Sequence, residues 1–236
     1  MQYLGLDLGT TFSLVSYINS QGVPALFPDY HDANEFRTPS VIHVGEEGCL
    51  VGQSLEELLE DEPGLTQARF VKLEMGKGNP VYKDNLDRQW LPESLSALIL
   101  KKLMRDVDAF LHEEVSGVVI AVPANFNDAQ RKATKHAAFL AGLPSPTLIE
   151  EPIAAATYYG FADKSGEQTL FVYDLGGGTF DATVLQSSDD GLFALATDGT
   201  NKIGGKGIDE LIMAQVAQEY QRTHNQDPMS DPLAAS

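Results

Sequence analysis

The chain is poor in cysteine and in basic residues. Cys49 is its only cysteine, which excludes an internal disulfide framework and any zinc site built from several cysteines. There are 16 lysines and arginines against 34 aspartates and glutamates, so the formal net charge is −18. This charge disfavours a nucleic-acid backbone or an anionic membrane as a partner. It also makes a divalent cation more necessary wherever phosphate groups bind.

The chain also lacks a long hydrophobic run. Its apolar stretches, such as residues 117–122, have the length of a buried strand and are too short to cross a membrane. The N-terminus has no basic segment and carries Asp7 inside its first apolar stretch, which is not typical of a signal peptide. The 236 residues suffice for one large or two ordinary domains with a substantial core. We therefore expect a soluble, cytoplasmic protein.

One pattern occurs twice in the chain. Residues 4–15 and 172–184 each contain an apolar strand ending in Asp-Leu-Gly, a turn of glycine and threonine, and a second apolar strand. We name residues 7–11 the first glycine turn and residues 174–179 the second glycine turn. Glycine lets backbone N–H groups approach a phosphate, threonine adds a hydroxyl donor, and aspartate can hold Mg²⁺. One copy alone is typical of an ordinary hairpin, but two facing copies would clamp a polyphosphate and its metal.

The order of predicted elements indicates an α/β fold made of two related halves. Asn127 and Gln130 predict the start of one helix, and Gly142 predicts its end. The buried side of that helix is expected to be Ala129, Ala133, Ala137 and Leu140. The predicted strands are 2–8, 12–18, 22–27, 39–44, 49–51, 117–122, 147–150, 169–175, 179–186 and 191–198. The main predicted helices are 54–60, 94–115, 127–140, 152–159 and 207–223.

Three segments resemble DnaK-type chaperones of the heat-shock protein 70 family, within the actin and sugar-kinase superfamily. They are residues 7–11, residues 150–156 and residues 173–181, the last reading Tyr-Asp-Leu-Gly-Gly-Gly-Thr-Phe-Asp. Residues 122–131 resemble the proline-switch segment of that family, and residues 203–209 resemble the segment that opens its upper second lobe.

This resemblance runs from Leu4 to about Tyr220 and implies an actin-like ATPase fold of the ribonuclease-H-like type. Lobe I would span residues 1–168, and an incomplete lobe II would span residues 169–236. Within lobe I, the implied core is 1–28 and 94–168, and the implied inserted subdomain is 29–93.

The resemblance implies ATP or ADP and Mg²⁺ as the bound groups. Asp7, Asp174 and Asp181 would hold Mg²⁺ through its water shell. The family pattern also includes a monovalent-cation site, for K⁺, where Phe12 replaces the usual polar or tyrosyl residue. The implied phosphate-binding residues are Gly9, Thr10, Thr11, Gly176, Gly177, Gly178, Gly204 and Gly205.

The implied catalytic residues are Lys72, Glu151, Asp174 and Thr179. Lys72 resembles the lysine that reaches the γ-phosphate and the attacking water, and Glu151 resembles the glutamate that couples the nucleotide site to the rest of the domain. Each has an ordinary alternative. A lone lysine is commonly a solvated surface charge, and an acid at the start of a helix is favoured by the macrodipole.

Pro123 and Arg131 resemble the relay that reports nucleotide state in this family; the alternative is an ordinary strand-end proline and a helix-surface arginine. The chain departs from the family at Thr147 and Glu150, where arginine and asparagine are usual. That surface is the one that J-domain partners use, so the departure puts this partnership in question. Unfolded peptides and other co-chaperones are implied partners of the full-length protein.

Two other functional classes remain open, a small-molecule kinase and an actin-like scaffold. A Walker-type phosphate loop is excluded, because Gly204-Gly205-Lys206 lacks its spacing and its Ser or Thr. Nothing after residue 220 resembles the rest of the second lobe or a peptide-binding domain, so we expect a fragment or a naturally truncated relative. Such a chain would leave apolar faces of strands 169–198 exposed, dimerise, bind ATP·Mg weakly and show no measurable turnover.

Overall fold

The computed structural model describes residues 2–111, 114–144, 146–160 and 166–230, which form a mixed α/β structure. The strands are β1 (Gln2–Asp7), β2 (Phe12–Ile18), β3 (Pro24–Leu26), β4 (Thr38–Pro39), β5 (Ile42–Val44), β6 (Cys49–Val51), β7 (Tyr82–Lys83), β8 (Gln89–Trp90), β9 (Val115–Val122), β10 (Thr147–Glu150), β11 (Gln168–Leu175), β12 (Phe180–Ser188) and β13 (Gly191–Thr200). The helices are α1 (Gln53–Asp61), α2 (Pro92–Phe110), α3 (Asp128–Leu140), α4 (Glu151–Tyr158) and α5 (Gly205–His224), with 3₁₀ turns at Val71–Glu74 and Pro228–Ser230. The α/β class and the order of the main elements are confirmed.

A mixed sheet in the first half brings three strand ends together. Its order is β10-β9-β1-β2-β3, with β4 paired to β2. The strands β1, β9 and β10 are parallel, so their carboxyl ends, at Asp7, Val122 and Glu150, meet at one edge. Open α/β sheets bind their ligands at this edge. The sheet thus places the first glycine turn beside Pro123 and Glu151.

Helices α2 and α3 pack against each other and bury apolar residues of this sheet. Proline at position 92 suits the first turn of α2, where its missing N–H has no partner to lose. The start of α3 is a capping box: the Gln130 N–H donates to Asn127 Oδ1, and the Asn127 N–H donates to Gln130 Oε1, both at 3.0 Å. The predicted start of this helix is therefore confirmed.

The predicted buried side of α3 is partly wrong. Ala133 and Ala137 are buried as expected, but Ala129 is exposed and Leu140 is 39% exposed. Thr134 and Ala138 are buried in their place. The buried stripe is therefore turned around the helix axis relative to the expectation. Alanine is small and buries little apolar area, so its spacing alone defines a buried face poorly.

The residues between β3 and α2 form two small hairpins, α1 and a 3₁₀ turn. A buried ion cluster ties the beginning of this stretch, at Asp29, to α2: Lys102 Nζ donates to the Asp29 carboxylate and, at 2.7 Å, to Asp106 Oδ2. Removing one partner of a buried pair costs about 3–5 kcal/mol, because the other charge is left uncompensated. The beginning of this stretch is therefore firmly held, and the 3₁₀ turn further along it carries Lys72 to the sheet edge.

Strands β11, β12 and β13 form a separate antiparallel sheet, which α5 follows. One face of it is open, with Phe171 66% and Tyr173 63% exposed. Helix α5 buries none of its residues, although Ile208, Ile212 and Val216 recur on one side. The expected exposure of apolar faces in this part is confirmed. Within the described ranges, no helix combines the length and apolarity that crossing a membrane requires.

Candidate nucleotide-phosphate site

The first glycine turn joins β1 to β2 and is held by two buried serines. The Gly9 N–H donates to Ser13 Oγ at 3.2 Å, and Ser40 Oγ donates to the Gly9 carbonyl at 2.9 Å. The two hydroxyl oxygens lie 2.9 Å apart. A Cβ at position 9 would overlap the Phe12 carbonyl, so only glycine fits there. The shape of this turn thus depends on side chains outside the motif.

The second glycine turn joins β11 to β12 and bonds to the start of α5. The Gly176 N–H donates to the Thr179 carbonyl at 2.9 Å, which closes the turn. The Gly205 N–H donates to the Gly176 carbonyl at 3.0 Å, and the Lys206 N–H donates to the Gly177 carbonyl at 2.7 Å. In this conformation the Gly205 N–H is therefore committed to the turn rather than directed at a ligand.

The two glycine turns face and touch each other. A Cβ on Gly177 would overlap the Thr11 hydroxyl, and one on Gly178 would lie 2.6 Å from Thr10 Cγ2. A Cβ on Gly204 would lie 2.6 Å from the Gly178 backbone. Glycine is what permits these approaches, and the predicted facing of the turns is confirmed. A polyphosphate between them would have to separate them or lie beside their contact.

A buried ion pair lies next to the turns. Lys72 Nζ donates to Glu151 Oε1 at 2.7 Å, with the two side chains 9% and 17% exposed. Burial opposes the ammonium form, but the carboxylates of Glu151 and Asp7 outweigh it and raise the pKa of Lys72. The alternative of a solvated surface lysine is therefore excluded. Glu151 also stands in the first turn of α4, where the macrodipole favours an acid.

Three further carboxylates gather around this pair. Asp174 and Asp181 are direct cross-strand partners in β11 and β12, an arrangement that is unfavourable for like charges. Burial raises the pKa of Asp7 and of Asp174; the Lys72 ammonium opposes this rise and the Glu151 carboxylate adds to it. Burial, then Glu151 and Asp174, raises the pKa of Asp181 to about 6. All three groups thus resist ionisation without a cation nearby.

The carboxylates suit a hydrated metal ion better than a directly ligated one. Among the residues that the structure describes, no group of three or more His, Cys, Asp or Glu could hold a metal ion. Mg²⁺ usually keeps several of its waters and needs few protein ligands. Asp181 is only 3% exposed, and its Oδ1 is buried without a hydrogen-bond partner. A buried carboxylate oxygen of this kind calls for a water or an ion.

A mainly polar cavity of about 320 Å³ lies beside Lys72 and Thr179. Its walls come from both halves of the chain, with Asn125 and Phe126 after β9 and Thr200 at the end of β13. The structure therefore brings Lys72 and Thr179 to one space, although 107 positions separate them in the sequence.

The predicted relay residues are joined through the loop that follows β9. Pro123 is buried, and its carbonyl accepts the Phe126 N–H at 3.1 Å. Arg131 Nε donates to the Phe126 carbonyl at 3.0 Å, and its Nη2 donates to the Ala124 carbonyl at 3.3 Å and to Glu150 Oε1 at 2.9 Å. Arg131 therefore does more than lie on the helix surface, because its hydrogen bonds hold this loop in place.

Several contributors to the site were not among the predicted site residues. Ser13 and Ser40 shape the first glycine turn, Asn125 lines the cavity, and Glu150 is the partner of Arg131. Ser13 carried a usable signal, because it is a polar residue at an inward position of a mainly apolar strand. Glu150 carried another, because it ends a strand directly beside a second acid, Glu151.

Two glycine turns, a buried lysine–glutamate pair and a polar cavity thus meet between two halves of an α/β protein. Comparison with known proteins gives its family. A family model described as "Hsp70 protein" matches residues 68–236. The chain belongs to the Hsp70 family, and the resemblance seen in its motifs is confirmed.

The similar curated proteins are chaperones. The chain is 40% identical to the chaperone protein DnaK of Thermotoga neapolitana and 39% identical to that of Thermotoga maritima, each over 233 residues. It is 38% identical to the DnaK of Thermosipho africanus over the same length. Each match covers 98% of this chain and 38% of the relative, so the chain spans well under half the length of these relatives.

Proposed function

We propose that this chain carries the phosphate and magnesium site of an Hsp70-type chaperone ATPase, and that the complete gene product hydrolyses ATP. The observation that carries the proposal is the buried Lys72–Glu151 pair beside Asp7 and Asp174, where two glycine turns meet. The DnaK relatives favour this function over a small-molecule kinase or an actin-like scaffold.

The proposed chemistry assigns separate tasks to these groups. When bound, Mg²⁺ supplies charge neutralisation at the transferring phosphoryl group. Asp7, Asp174 and Asp181 orient water through their carboxylate oxygens. The Lys72 ammonium neutralises charge that develops on the γ-phosphoryl group. Glu151 keeps the Lys72 amine protonated and, through its hydrogen bond, holds it in position. The phosphates are contacted by the backbone of the two glycine turns, by the hydroxyls of Thr10, Thr11 and Thr179, and by Gly204. Gly205 joins them only once its N–H leaves the Gly176 carbonyl.

The proposed organisation is that of an actin-like ATPase with lobe I at residues 1–168 and part of lobe II at 169–236. Residues 29–93 form the inserted subdomain of lobe I, and the nucleotide site lies between the lobes. The separate sheets of the two halves and the contacts of α4 with both support this division. In this scheme Pro123 and Arg131 relay the nucleotide state.

The proposed partners follow from the family. They are ATP or ADP, unfolded peptides and co-chaperones of the complete protein, with a cytoplasmic location and a part in the stress response. The J-domain contact is altered at Thr147 and Glu150, because Glu150 is engaged by Arg131. K⁺ is a further candidate ion near Phe12. The exposed sheet face and α5 support self-association of the chain on its own.

The test is ATP turnover by the complete gene product, measured as phosphate release with and without Mg²⁺. Asp7→Asn and Asp174→Asn should each slow turnover at least tenfold, about 1.4 kcal/mol in the barrier, and chelating Mg²⁺ should abolish it. Asp189→Asn is the control, because Asp189 is an exposed aspartate in the turn after β12. Unchanged turnover in both variants would overturn the assignment.

A further inference from the structure

Two adjacent carboxylates stand at the junction between β10 and α4, and each holds a cation from a different element. Glu150 ends the strand and Glu151 begins the helix. Glu151 accepts from Lys72 of the 3₁₀ turn at 2.7 Å, and Glu150 accepts from Arg131 of α3 at 2.9 Å. The junction therefore ties together two elements that are distant in the sequence.

Glu150 stands at the N-cap position of α4, where Ser, Thr, Asp and Asn are the preferred residues. Its side chain makes no cap bond. It is turned instead to Arg131, whose Nη2 also donates to the Ala124 carbonyl and whose Nε donates to the Phe126 carbonyl. The acid thus serves a contact between elements rather than the local end of its helix.

The loop that Arg131 braces is part of the cavity beside Lys72. Asn125 and Phe126 line the same space as Lys72 and Thr179. A shift of Arg131 would move this wall, and a shift of Glu150 would change the direction in which Glu151 leaves the strand. Both movements would change the position of Lys72, which the proposed function places at the γ-phosphate.

We propose that Glu150 is a positioning residue: through Arg131 it fixes the β10–α4 junction and the loop 123–126, and thereby the geometry of the Lys72–Glu151 pair. The expected effect of Glu150 on the hydrolysis rate rests on the proposed ATPase function, whereas its expected effect on the loop rests on the structure alone. The Arg131 and Glu150 side chains are 28% and 30% exposed. A pair this exposed contributes little to stability, so its removal is expected to leave the protein folded.

The first test is amide hydrogen exchange in the 236-residue chain with the substitution Glu150→Gln. This change keeps the size of the side chain and removes its charge. We expect several-fold faster exchange of the backbone amides of residues 124–127 and of those at the start of α4, and the same pattern in Arg131→Lys. The double variant should add little to either single change, because both remove one interaction. The control Glu219→Gln breaks an exposed pair with Arg222 on α5 and should leave these segments unchanged.

The second test is single-turnover ATP hydrolysis by the complete gene product. Glu150→Gln should lower the rate about tenfold and leave ATP affinity within about twofold, because small displacements of catalytic groups cost rate more than binding. Glu150→Asp, which retains the charge, should lose less. A hydrolysis rate of Glu150→Gln equal to that of the wild type would overturn the positioning role of Glu150. Absence of hydrolysis in the wild type would instead count against the proposed function, and the exchange experiment would still decide whether Glu150 fixes the loop.

Discussion

Replacing Asp181 should change how the stability of the chain depends on pH. Burial, with the nearby carboxylates of Glu151 and Asp174, raises the pKa of Asp181 from 3.8 to about 6. The folded state therefore holds this proton more tightly than the unfolded state does. The resulting stabilisation is fully present below the unfolded pKa of 3.8, and it is lost as the pH rises through 6.

The size of the effect follows from these two values. When the pH falls from about 7 to about 5, Asp181 gains its proton in the folded state. The free energy of unfolding of the wild type should then rise by about 1.4 kcal/mol relative to that of Asp181→Asn. Urea unfolding of both proteins at several pH values measures this difference, because the titration of groups that do not interact with Asp181 cancels in the comparison. Asp189→Asn, in the turn after the same strand, should show no such trend.

Magnesium provides a second arm of the same experiment. A cation near Asp181 favours the ionised carboxylate, so added Mg²⁺ should stabilise the wild type more than Asp181→Asn at neutral pH and lose its effect below about pH 6. A stability difference between wild type and Asp181→Asn that stays constant from pH 7 to pH 5 would refute the reasoning, because the buried carboxyl would then titrate normally.

Two further predictions concern the lysine and the isolated chain. Lys72→Ala in the complete gene product should remove hydrolysis but leave the nucleotide affinity, measured by calorimetry, nearly unchanged, because the main interaction of Lys72 is made in the transition state. Equal losses of affinity and rate would instead mark Lys72 as a ground-state ligand. The 236-residue chain alone should bind ATP·Mg weakly, show no measurable turnover and self-associate in light scattering, since its glycine turns touch and faces such as Phe171 are open. A monodisperse monomer with micromolar affinity would contradict this.

Elements with local signals were predictable from the sequence. The first meander follows from alternating apolar residues and its Gly-Thr turn, and α3 begins where the Asn127–Gln130 box predicts. The two glycine turns stand out because a repeated motif carries more information than a single one. The face of α3 was not predictable, since alanine fits both buried and exposed positions, as Ala129 shows.

Contacts between distant parts of the chain were beyond the sequence pattern. Lys72 and Glu151 are 79 positions apart, and only the folding of the inserted stretch onto the sheet edge brings them within 2.7 Å. The serine pair behind Gly9 and the bond from Arg131 to Glu150 are also tertiary. The resemblance to the family assigned roles to several of these residues, but it did not provide their partners.

Under the proposed function, the charge balance of the site explains how so acidic a chain would bind phosphate groups. Asp7, Asp174, Asp181 and Glu151 surround a single ammonium group, that of Lys72, so the site repels phosphate on its own. The same crowding raises the pKa of three aspartates, which means that folding has brought together charges that favour a shared cation. A divalent ion relieves this repulsion and at the same time attracts the phosphates. Metal and nucleotide should therefore bind cooperatively, and by thermodynamic linkage each raises the affinity for the other by the same factor.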